Sequence, residues 1–319
     1  MQKRRLGRLG PEVPPIMLGG NVYGWTLNED ESLRQLDRAV DLGLNFIDTA
    51  DVYSRWAPGH RGGESESIIG KWFARSGKRK DVILATKVGM DMGDGKKGLS
   101  GKYIEEAVEA SLRRLQTDYI DLYQAHSDDE LIRQEETLGA FNKLVQSGKV
   151  RYIGASNYVG ARLAKAIDLS REKGWAEYVS IQPHYNLLER ATFERDLLPV
   201  VKKYELGVIP YFSLAAGFLT GKYRRGSDTS GAARGGMVKK YFNDHGFAVV
   251  DALHDVAARH NATAAQVALA WLLAQPGVTA PIASATSDQH LDDLVAATEL
   301  RLTEQDRREL NEVSTAVAA

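Results

Sequence analysis

Short runs of aliphatic and β-branched residues alternate with longer amphipathic stretches from one end of the chain to the other. The eight runs predict strands at residues 15–20, 44–48, 82–87, 119–126, 150–156, 179–185, 207–213 and 278–284. The stretches that follow them predict helices near residues 29–42, 64–75, 102–116, 132–147, 160–173, 192–205, 263–274 and 288–298. Strands that are apolar almost throughout, each followed by a helix, are typical of a parallel sheet covered by helices.

Eight such units without a break in composition favour a closed barrel over an open sheet. We therefore predict an α/β fold, a (β/α)8 TIM barrel with an eight-stranded parallel sheet, in which residues 1–319 form a single domain. The segment KRRLGRLGPEV (3–13) predicts an N-terminal β-hairpin that covers one end of the barrel. Thr263 followed by Gln266 predicts a capping box at the start of the seventh helix.

Composition and charge exclude several classes of function. The chain carries 41 basic and 42 acidic residues, so its net charge of −1 gives no indication of a nucleic-acid partner. The absence of cysteine excludes disulfides and thiolate chemistry, and the seven histidines show no H-E-x-x-H motif, so no metal is expected. No apolar run reaches the roughly 18 residues of a membrane span, which predicts a cytoplasmic protein without a membrane partner.

Titratable side chains stand where the predicted strands end. Asp48, Lys87 and His126 end the second, third and fourth strands, and Tyr53 follows Asp48 by five residues. In a barrel these strand ends share one mouth, where the active site lies. Each residue alone is most simply a paired polar cap on its strand, but the four together favour a shared site. A buried Asp48 also needs a compensating charge, and Lys87 is the candidate.

Six segments together resemble the aldo-keto reductase superfamily, in the family's order, over roughly residues 3–300. They are FIDTADVYS, ATKVG, the histidine after DLYQA, GKVRYIGASNY, SIQPHYNLLER and YFSLAAGFLTGKY. The resemblance implies a barrel-bound nicotinamide cofactor that delivers hydride to a small-molecule aldehyde or ketone.

The resemblance also maps the family's catalytic residues onto Asp48, Tyr53, Lys87 and His126. Reduction of a carbonyl by hydride leaves an alkoxide that needs a proton, and Tyr53 would supply it as the general acid. Because tyrosine has a reference pKa of about 10, Lys87 would stabilise its anion, and Asp48 would hold the ammonium group in place. His126 would donate a hydrogen bond to the carbonyl oxygen and orient it.

Further residues would hold the cofactor, again by resemblance. Ser156, Asn157 and Gln182 would bind the nicotinamide carboxamide, and Tyr211 would stack on the nicotinamide ring. The long, glycine-rich and basic connection at residues 221–246 would fold over the pyrophosphate. The remaining predicted cofactor residues are Gly20, Asp48, Leu214, Ala215, Gly217, Lys222, Ser284, Thr286 and His290.

The adenosine phosphate should meet the helix that starts near Asp288, because a helix N-terminus is a natural phosphate site. Family members that use NADP(H) usually bring lysine or arginine to this segment. This chain instead offers Ser284, Thr286, Ser287, Gln289 and His290. NADP(H) is the cofactor expected from the family, and the departure leaves NAD(H) or dual use open.

The substrate pocket is less clearly marked. Tyr23, Trp25, Trp56 and Met90 fall in loops after the first three strands and are candidates for its walls, although ordinary packing explains them equally well. The terminal AVAA (316–319) leaves little room for a long substrate loop, which predicts an open pocket to which a neighbouring subunit could contribute. An oligomer is therefore possible.

Three alternative interpretations compete with the reductase. GDGKKG (93–98) matches the dinucleotide fingerprint G-x-G-x-x-G, but a surface loop explains it better because the tight strand–turn–helix junction is missing. A cofactor-binding regulatory subunit resembling potassium-channel β-subunits is the main alternative, and the presence of all four catalytic positions favours the enzyme. A barrel isomerase or aldolase would use Lys87 to form a Schiff base.

Overall fold

A computed structural model describes residues 1–315 of the chain. The segment 316–319, on which the expectation of an open pocket rests, lies outside the described residues. Within residues 1–315 no helix is long and apolar enough to cross a membrane. The same range contains no group of three or more His, Cys, Asp or Glu side chains that could hold a metal ion.

A β-hairpin opens the chain, with strands β1 (Arg4–Arg5) and β2 (Glu12–Val13) paired antiparallel. Leu6, just after β1, is fully buried against apolar residues from the barrel strands. Gly7 has a φ of +66°, and a Cβ atom there would lie 2.5 Å from the carbonyl oxygen of Val179. Glycine alone permits this close approach of the hairpin to the barrel. The predicted hairpin at one end of the barrel is confirmed.

Eight parallel strands form the barrel. They are β3 (Met17–Gly19), β4 (Phe46–Asp48), β5 (Ile83–Val88), β6 (Ile120–Ala125), β7 (Val150–Ser156), β8 (Tyr178–Gln182), β9 (Gly207–Val208) and β10 (Ile282–Ala283). Neighbours in the sequence pair from β3 to β9, and β10 pairs with β3. Backbone hydrogen bonds from Val208 N to Gly277 O (3.1 Å) and from Thr279 N to Val208 O (2.8 Å) close the ring. The predicted (β/α)8 fold is confirmed.

Helices surround the strands. Within residues 1–315 they are α1 (Glu29–Asp41), α2 (Glu64–Ser76), α3 (Gly101–Leu115), α4 (Gln134–Gln146), α5 (Gly160–Lys173), α6 (Leu198–Tyr204), α7 (Gly235–Val238), α8 (Asp244–His260), α9 (Ala264–Leu273), α10 (Asp288–Glu299) and α11 (Glu304–Ser314). The predicted helices agree closely with α1–α6, α9 and α10, except that a π-helical turn at Phe193–Leu197 precedes α6. The capping box of Thr263 and Gln266 at α9 is present, with Gln266 N 3.2 Å from Thr263 Oγ1.

Two long helices, α8 and α11, are absent from the sequence prediction. The first turn of α8 is polar and contains a glycine, so the apolar pattern of this helix is hard to recognise in the sequence. Helix α11 buries one aliphatic side chain, Leu310, and therefore has almost no apolar pattern. The segment 221–246 also differs from the irregular loop that its composition predicts. It contains α7 and a 3-10 turn at Lys239–Tyr241, which bury Val238 and Tyr241, and its last residues begin α8. GDGKKG lies in the connection between β5 and α3, as predicted.

Candidate active site

The hydroxyl group of Tyr53 is held between a carboxylate and an ammonium group. It donates to Asp48 Oδ2 at 2.8 Å and accepts from Lys87 Nζ at 2.7 Å. Lys87 Nζ also donates to Asp48 Oδ2 (2.8 Å) and to the carbonyl oxygen of Thr49 (2.9 Å), while Gln182 Nε2 donates to Asp48 Oδ1 (3.1 Å). Asp48 and Lys87 are 1% and 0% exposed, and this set of contacts compensates both buried charges.

The electrostatics of this group differ from one expectation. Burial, followed by the neighbouring Asp48 carboxylate, raises the pKa of Tyr53 well above its usual value. Burial lowers the pKa of Lys87, and Asp48 opposes that shift. The sequence predicts that Lys87 eases the ionisation of Tyr53, but burial and Asp48, which lies almost equally close to the hydroxyl, outweigh that effect. In this structure Tyr53 therefore keeps its proton at neutral pH.

His126 follows β6 and faces the same cavity as Tyr53. Its ring centroid lies 6.1 Å from that of Tyr53, and its backbone N donates to the carbonyl oxygen of Val88 at 2.9 Å. Burial and the charge of Lys87 lower the pKa of His126 well below its usual value. The imidazole is therefore neutral, with one N–H to donate. Its Nδ1 is buried without a partner within residues 1–315.

A cavity of about 1030 Å³ opens at the C-terminal ends of the strands. Most predicted site residues line it. The catalytic candidates among them are Asp48, Tyr53 and His126. The cofactor candidates are Ser156, Asn157, Gln182, Tyr211, Leu214, Gly217, Lys222, Ser284, Thr286 and His290, and the substrate-pocket candidates are Trp25, Trp56 and Met90. Its volume is at the upper end of the range for ligand sites, which suits a dinucleotide together with a substrate.

Four predicted residues do not line the cavity. Lys87 lies behind Asp48 and Tyr53. Tyr23, predicted in the substrate pocket, is fully buried in the hydrophobic core, because its ring packs inward among apolar side chains. Gly20 and Ala215, predicted to bind cofactor, are buried as well, and the carbonyl oxygen of Gly20 accepts from Ser65 Oγ at 2.7 Å.

Polar groups at the ends of β6, β7 and β8 are linked to one another. Ser156 Oγ donates to the carbonyl oxygen of Gln182 (2.9 Å), and Asn157 Nδ2 donates to that of His126 (2.9 Å). The hydroxyl of Tyr211 donates to Asn157 Oδ1 at 2.8 Å. The ring of Tyr211 stacks on His184, with centroids 5.2 Å apart and planes inclined by 18°. These contacts fix hydroxyl and amide groups on one wall of the cavity.

The backbone after β9 forms the next part of the wall. Ala215, Ala216 and Gly217 have φ angles of 48°, 56° and 98°, in a left-handed region that alanine rarely adopts. Two of their N–H groups already have partners, because Ala215 N donates to the carbonyl oxygen of Phe212 (2.7 Å) and Gly217 N donates to that of Leu214 (2.8 Å). Lys222 also lines the cavity and would lie 3.6 Å from a Cβ atom added at Gly217. The ammonium group of Lys222, beside a glycine that has no side chain to block a close approach, fits a pyrophosphate group.

The wall at β10 and α10 is neutral to acidic. Ser287 caps α10 by accepting from His290 N at 3.2 Å, and His290 Nδ1 lies 3.2 Å from Thr286 Oγ1. Two carboxylates that the sequence patterns do not mark, Glu31 and Asp293, line the cavity here. Glu31 lies on α1 and Asp293 on α10. The sequence pattern of a helix predicts which face is apolar, but it does not predict which polar side chains face a cavity.

Aromatic rings form the wall beside Tyr53. The Trp56 ring lies 5.9 Å from that of Tyr53, and the Trp25 ring lies 5.5 Å from that of Trp56. Arg234, which no sequence pattern singles out, places its guanidinium carbon 5.4 Å above the ring of Trp25. It stands in the segment 221–246, where no strand or helix pattern predicts which side chains point inward.

Asp51 lies next to this centre but does not line the cavity. It is 2% exposed, and neither carboxylate oxygen has a hydrogen-bond partner in the described part of the chain. Burial and the charge of Glu66 raise the pKa of Asp51 to about 8. Glu66 itself accepts from Arg114 Nε (2.7 Å) and Thr86 Oγ1 (2.6 Å). Asp51 is therefore largely protonated at neutral pH.

Comparison with known proteins agrees with this geometry. A sequence model of the Aldo/keto reductase family matches residues 15–315. The chain is 39% identical to the uncharacterized oxidoreductase YrpG of Bacillus subtilis, over 98% of this chain and 96% of that protein. It is 31% identical to the versiconal hemiacetal acetate reductase of Aspergillus parasiticus, over 98% and 96% of the two chains. A putative voltage-gated potassium channel subunit beta of Schizosaccharomyces pombe is 33% identical, over 97% and 92%. The chain therefore belongs to the aldo/keto reductase family of oxidoreductases.

Proposed function

We propose that this protein transfers hydride between NADP(H) and the carbonyl group of an aldehyde or ketone, interconverting carbonyl and alcohol. The observation that carries the proposal is the Tyr53 hydroxyl, which faces the cavity while it is bonded to both Lys87 and Asp48. Membership of the aldo/keto reductase family, which generally uses nicotinamide cofactors, supports the same reaction class.

The walls of the cavity fit a nicotinamide dinucleotide. Hydroxyl and amide groups of Ser156, Asn157 and Gln182 would hold the carboxamide, and the ring of Tyr211 offers a flat face for the nicotinamide. The ammonium group of Lys222 would hold the pyrophosphate, which could approach the backbone closely at Gly217 because glycine has no side chain. When bound, this cofactor supplies or accepts the hydride at the carbonyl carbon.

Tyr53 would act as the proton donor for reduction. Its raised pKa keeps the hydroxyl protonated, and the alkoxide left by hydride addition is a far stronger base than a phenolate, so the proton passes from Tyr53 Oη to the substrate oxygen. Lys87 Nζ, 2.7 Å away, stabilises the phenolate that remains, and Asp48 holds Lys87 in position. The neutral imidazole of His126 would donate a hydrogen bond to the carbonyl oxygen before transfer.

A Schiff base at Lys87 fits the geometry poorly. Its three donors are used on Asp48, Tyr53 and the carbonyl oxygen of Thr49, and the side chain does not line the cavity. A carbonyl substrate would have to displace Tyr53 to reach the amine, so the geometry disfavours an isomerase or aldolase.

A regulatory subunit is the second candidate, because the relative from Schizosaccharomyces pombe is named as a potassium channel subunit. Such a protein would bind cofactor in the same cavity and act through a partner. One assay separates the two functions: a panel of aldehydes, ketones and sugars with NADPH and with NADH, next to direct cofactor binding. Turnover supports the reductase, and tight binding without turnover of any substrate supports the regulatory subunit. Absence of cofactor binding would contradict both.

A further inference from the structure

Arg234 is a cation without a countercharge at the substrate end of the cavity. Its guanidinium group lies over Trp25 and forms no ion pair or side-chain hydrogen bond within residues 1–315. Burial lowers the pKa of Arg234, and the titratable group that opposes this shift is Tyr53 rather than a carboxylate. Buried or half-buried charges in proteins are normally paired, so an unpaired guanidinium that faces a ligand cavity implies an anionic ligand.

The surroundings of Arg234 give this end of the cavity a positive charge. Trp25 and Trp56 are uncharged, and so is the imidazole of His126 beside Tyr53; Met90 and Met237 add apolar side chains to the lining of the cavity. Asp48 is the carboxylate closest to the reacting hydroxyl, and Lys87 neutralises it. Glu31 and Asp293 also line the cavity, but neither forms an ion pair with Arg234 or contributes to the shift of its pKa. A ligand bound beside Tyr53 therefore meets one uncompensated cation.

We propose that Arg234 binds an anionic group of the substrate, so that the preferred substrates are aldehydes or ketones with a carboxylate remote from the carbonyl. The inference rests on the proposed function, because the carbonyl must lie at Tyr53. The rings of Trp56 and Trp25 stand between Tyr53 and Arg234, which suits an aromatic or aliphatic body between the two groups. The planar fork of arginine binds a carboxylate through two parallel hydrogen bonds.

The test compares two substrates that differ in one charge, 4-carboxybenzaldehyde and its neutral methyl ester, methyl 4-formylbenzoate. The readout is the ratio of their kcat/KM values in wild type, Arg234→Gln and Arg234→Lys. We expect the ratio to favour the acid in wild type and to fall about 10- to 100-fold in Arg234→Gln, as loss of a charge-assisted pair requires. Arg234→Lys keeps the charge and should retain part of the preference.

Two controls make the result specific to Arg234. Arg55→Gln removes an exposed guanidinium that does not line the cavity and bonds to the carbonyl oxygen of Asp91, and it should leave the ratio unchanged. The acid preference of wild type should also weaken with added salt, whatever the stability of the variants. An equal ratio in wild type and Arg234→Gln overturns the inference. Weaker NADPH binding with an unchanged ratio would assign Arg234 to the cofactor's phosphates instead. If neither benzaldehyde is a substrate while other neutral aldehydes are, this inference alone fails.

Discussion

The two halves of the barrel mouth are built differently. At the ends of β4 and β5, Asp48, Tyr53 and Lys87 are bonded to one another, and the two charges are buried and matched. Past β9 and β10 the wall consists of left-handed backbone, hydroxyl groups and the segment 221–246, which surface ion pairs hold in place. The difference indicates that the first half is rigid, which suits the proposed proton transfer, whereas the second can adapt to a ligand.

Lys87→Met should damage the first half most. It removes the charge proposed to stabilise the Tyr53 phenolate and leaves Asp48 buried without its cation. We expect kcat to fall by roughly 10²-fold or more and the free energy of unfolding to fall by about 3–5 kcal/mol. Steady-state kinetics and urea unfolding measure the two effects. A stable and active variant would show that the half does not depend on this pair.

Tyr53→Phe separates chemistry from stability in the same half. It removes the proposed proton donor but leaves the hydrogen bond between Lys87 and Asp48 in place. We expect kcat to fall by roughly 10²-fold or more, while the dissociation constant of NADPH stays close to that of wild type. Fluorescence titration with NADPH provides the binding control. Near wild-type kcat would remove Tyr53 from the role of general acid.

The raised pKa of Asp51, a buried residue next to the first half, predicts how the stability of the folded protein depends on pH. Its pKa is raised from 3.8 to about 8 by burial and by Glu66, with Arg114 and Lys87 opposing the shift. Between those values the folded protein holds a proton that the unfolded chain releases. The stabilisation is therefore complete below about pH 4, decreases by up to about 1.4 kcal/mol per pH unit, and is lost above about pH 8.

Asp51→Asn should remove this component, so its stability relative to wild type should rise from pH 5 to pH 8. Urea unfolding across that range measures the difference. The exposed Asp118→Asn provides the matched control and should follow the wild-type curve. Parallel curves for wild type and Asp51→Asn would mean that Asp51 is ionised in the folded protein, and that a compensating group lies beside it.

Sequence patterns predict the rigid half better than the adaptable one, for a physical reason. Strand alternation fixes where a strand ends, so the positions of Asp48, Lys87 and His126 along the chain are enough to predict that they share one mouth. Arg234 reaches the cavity because of the way its loop folds, and Glu31 and Asp293 reach it because of the way their helices face. No short sequence pattern predicts either of these. Tyr23 illustrates the opposite error, because an aromatic residue near a strand end can also belong to the core.

The segment 221–246 tests the adaptable half. Glu189 Oε1 accepts from Lys240 Nζ (2.6 Å) and from the hydroxyl of Tyr241 (3.0 Å), and these contacts tie the segment to the connection after β8. Saturating NADPH should slow proteolysis within the segment by about 10-fold or more, because bound ligand stabilises the closed form. Glu189→Gln should speed cleavage of the cofactor-free protein. Equal cleavage with and without NADPH would contradict closure over the cofactor.

Cofactor choice is the smallest expected effect and concerns the wall at β10 and α10. The 2′-phosphate of NADPH would gain from the N-terminus of α10, worth about 0.3–1 kcal/mol, and from neutral donors such as Ser284 and Thr286, at about 0.5–1.5 kcal/mol each. The carboxylates of Glu31 and Asp293 also line the cavity and would repel it, each by about 1 kcal/mol if it lay a few ångströms away in solvent. These opposing terms leave a preference for NADPH of about 10-fold or less.

Asp293→Asn tests this balance, because it removes one charge without changing the size of the side chain. Asp293 Oδ1 accepts from Gln266 Nε2 at 2.8 Å, a neutral donor that leaves the carboxylate uncompensated. The ratio of dissociation constants, NADH over NADPH, should rise about 5-fold in the variant, in line with about 1 kcal/mol. Asp292→Asn is the matched control: it alters the preceding residue of α10, whose carboxylate is paired with Arg38 and does not line the cavity. An unchanged ratio in Asp293→Asn would place the phosphate away from α10, and a clear preference of the wild type for NADH would reverse the assignment of NADP(H).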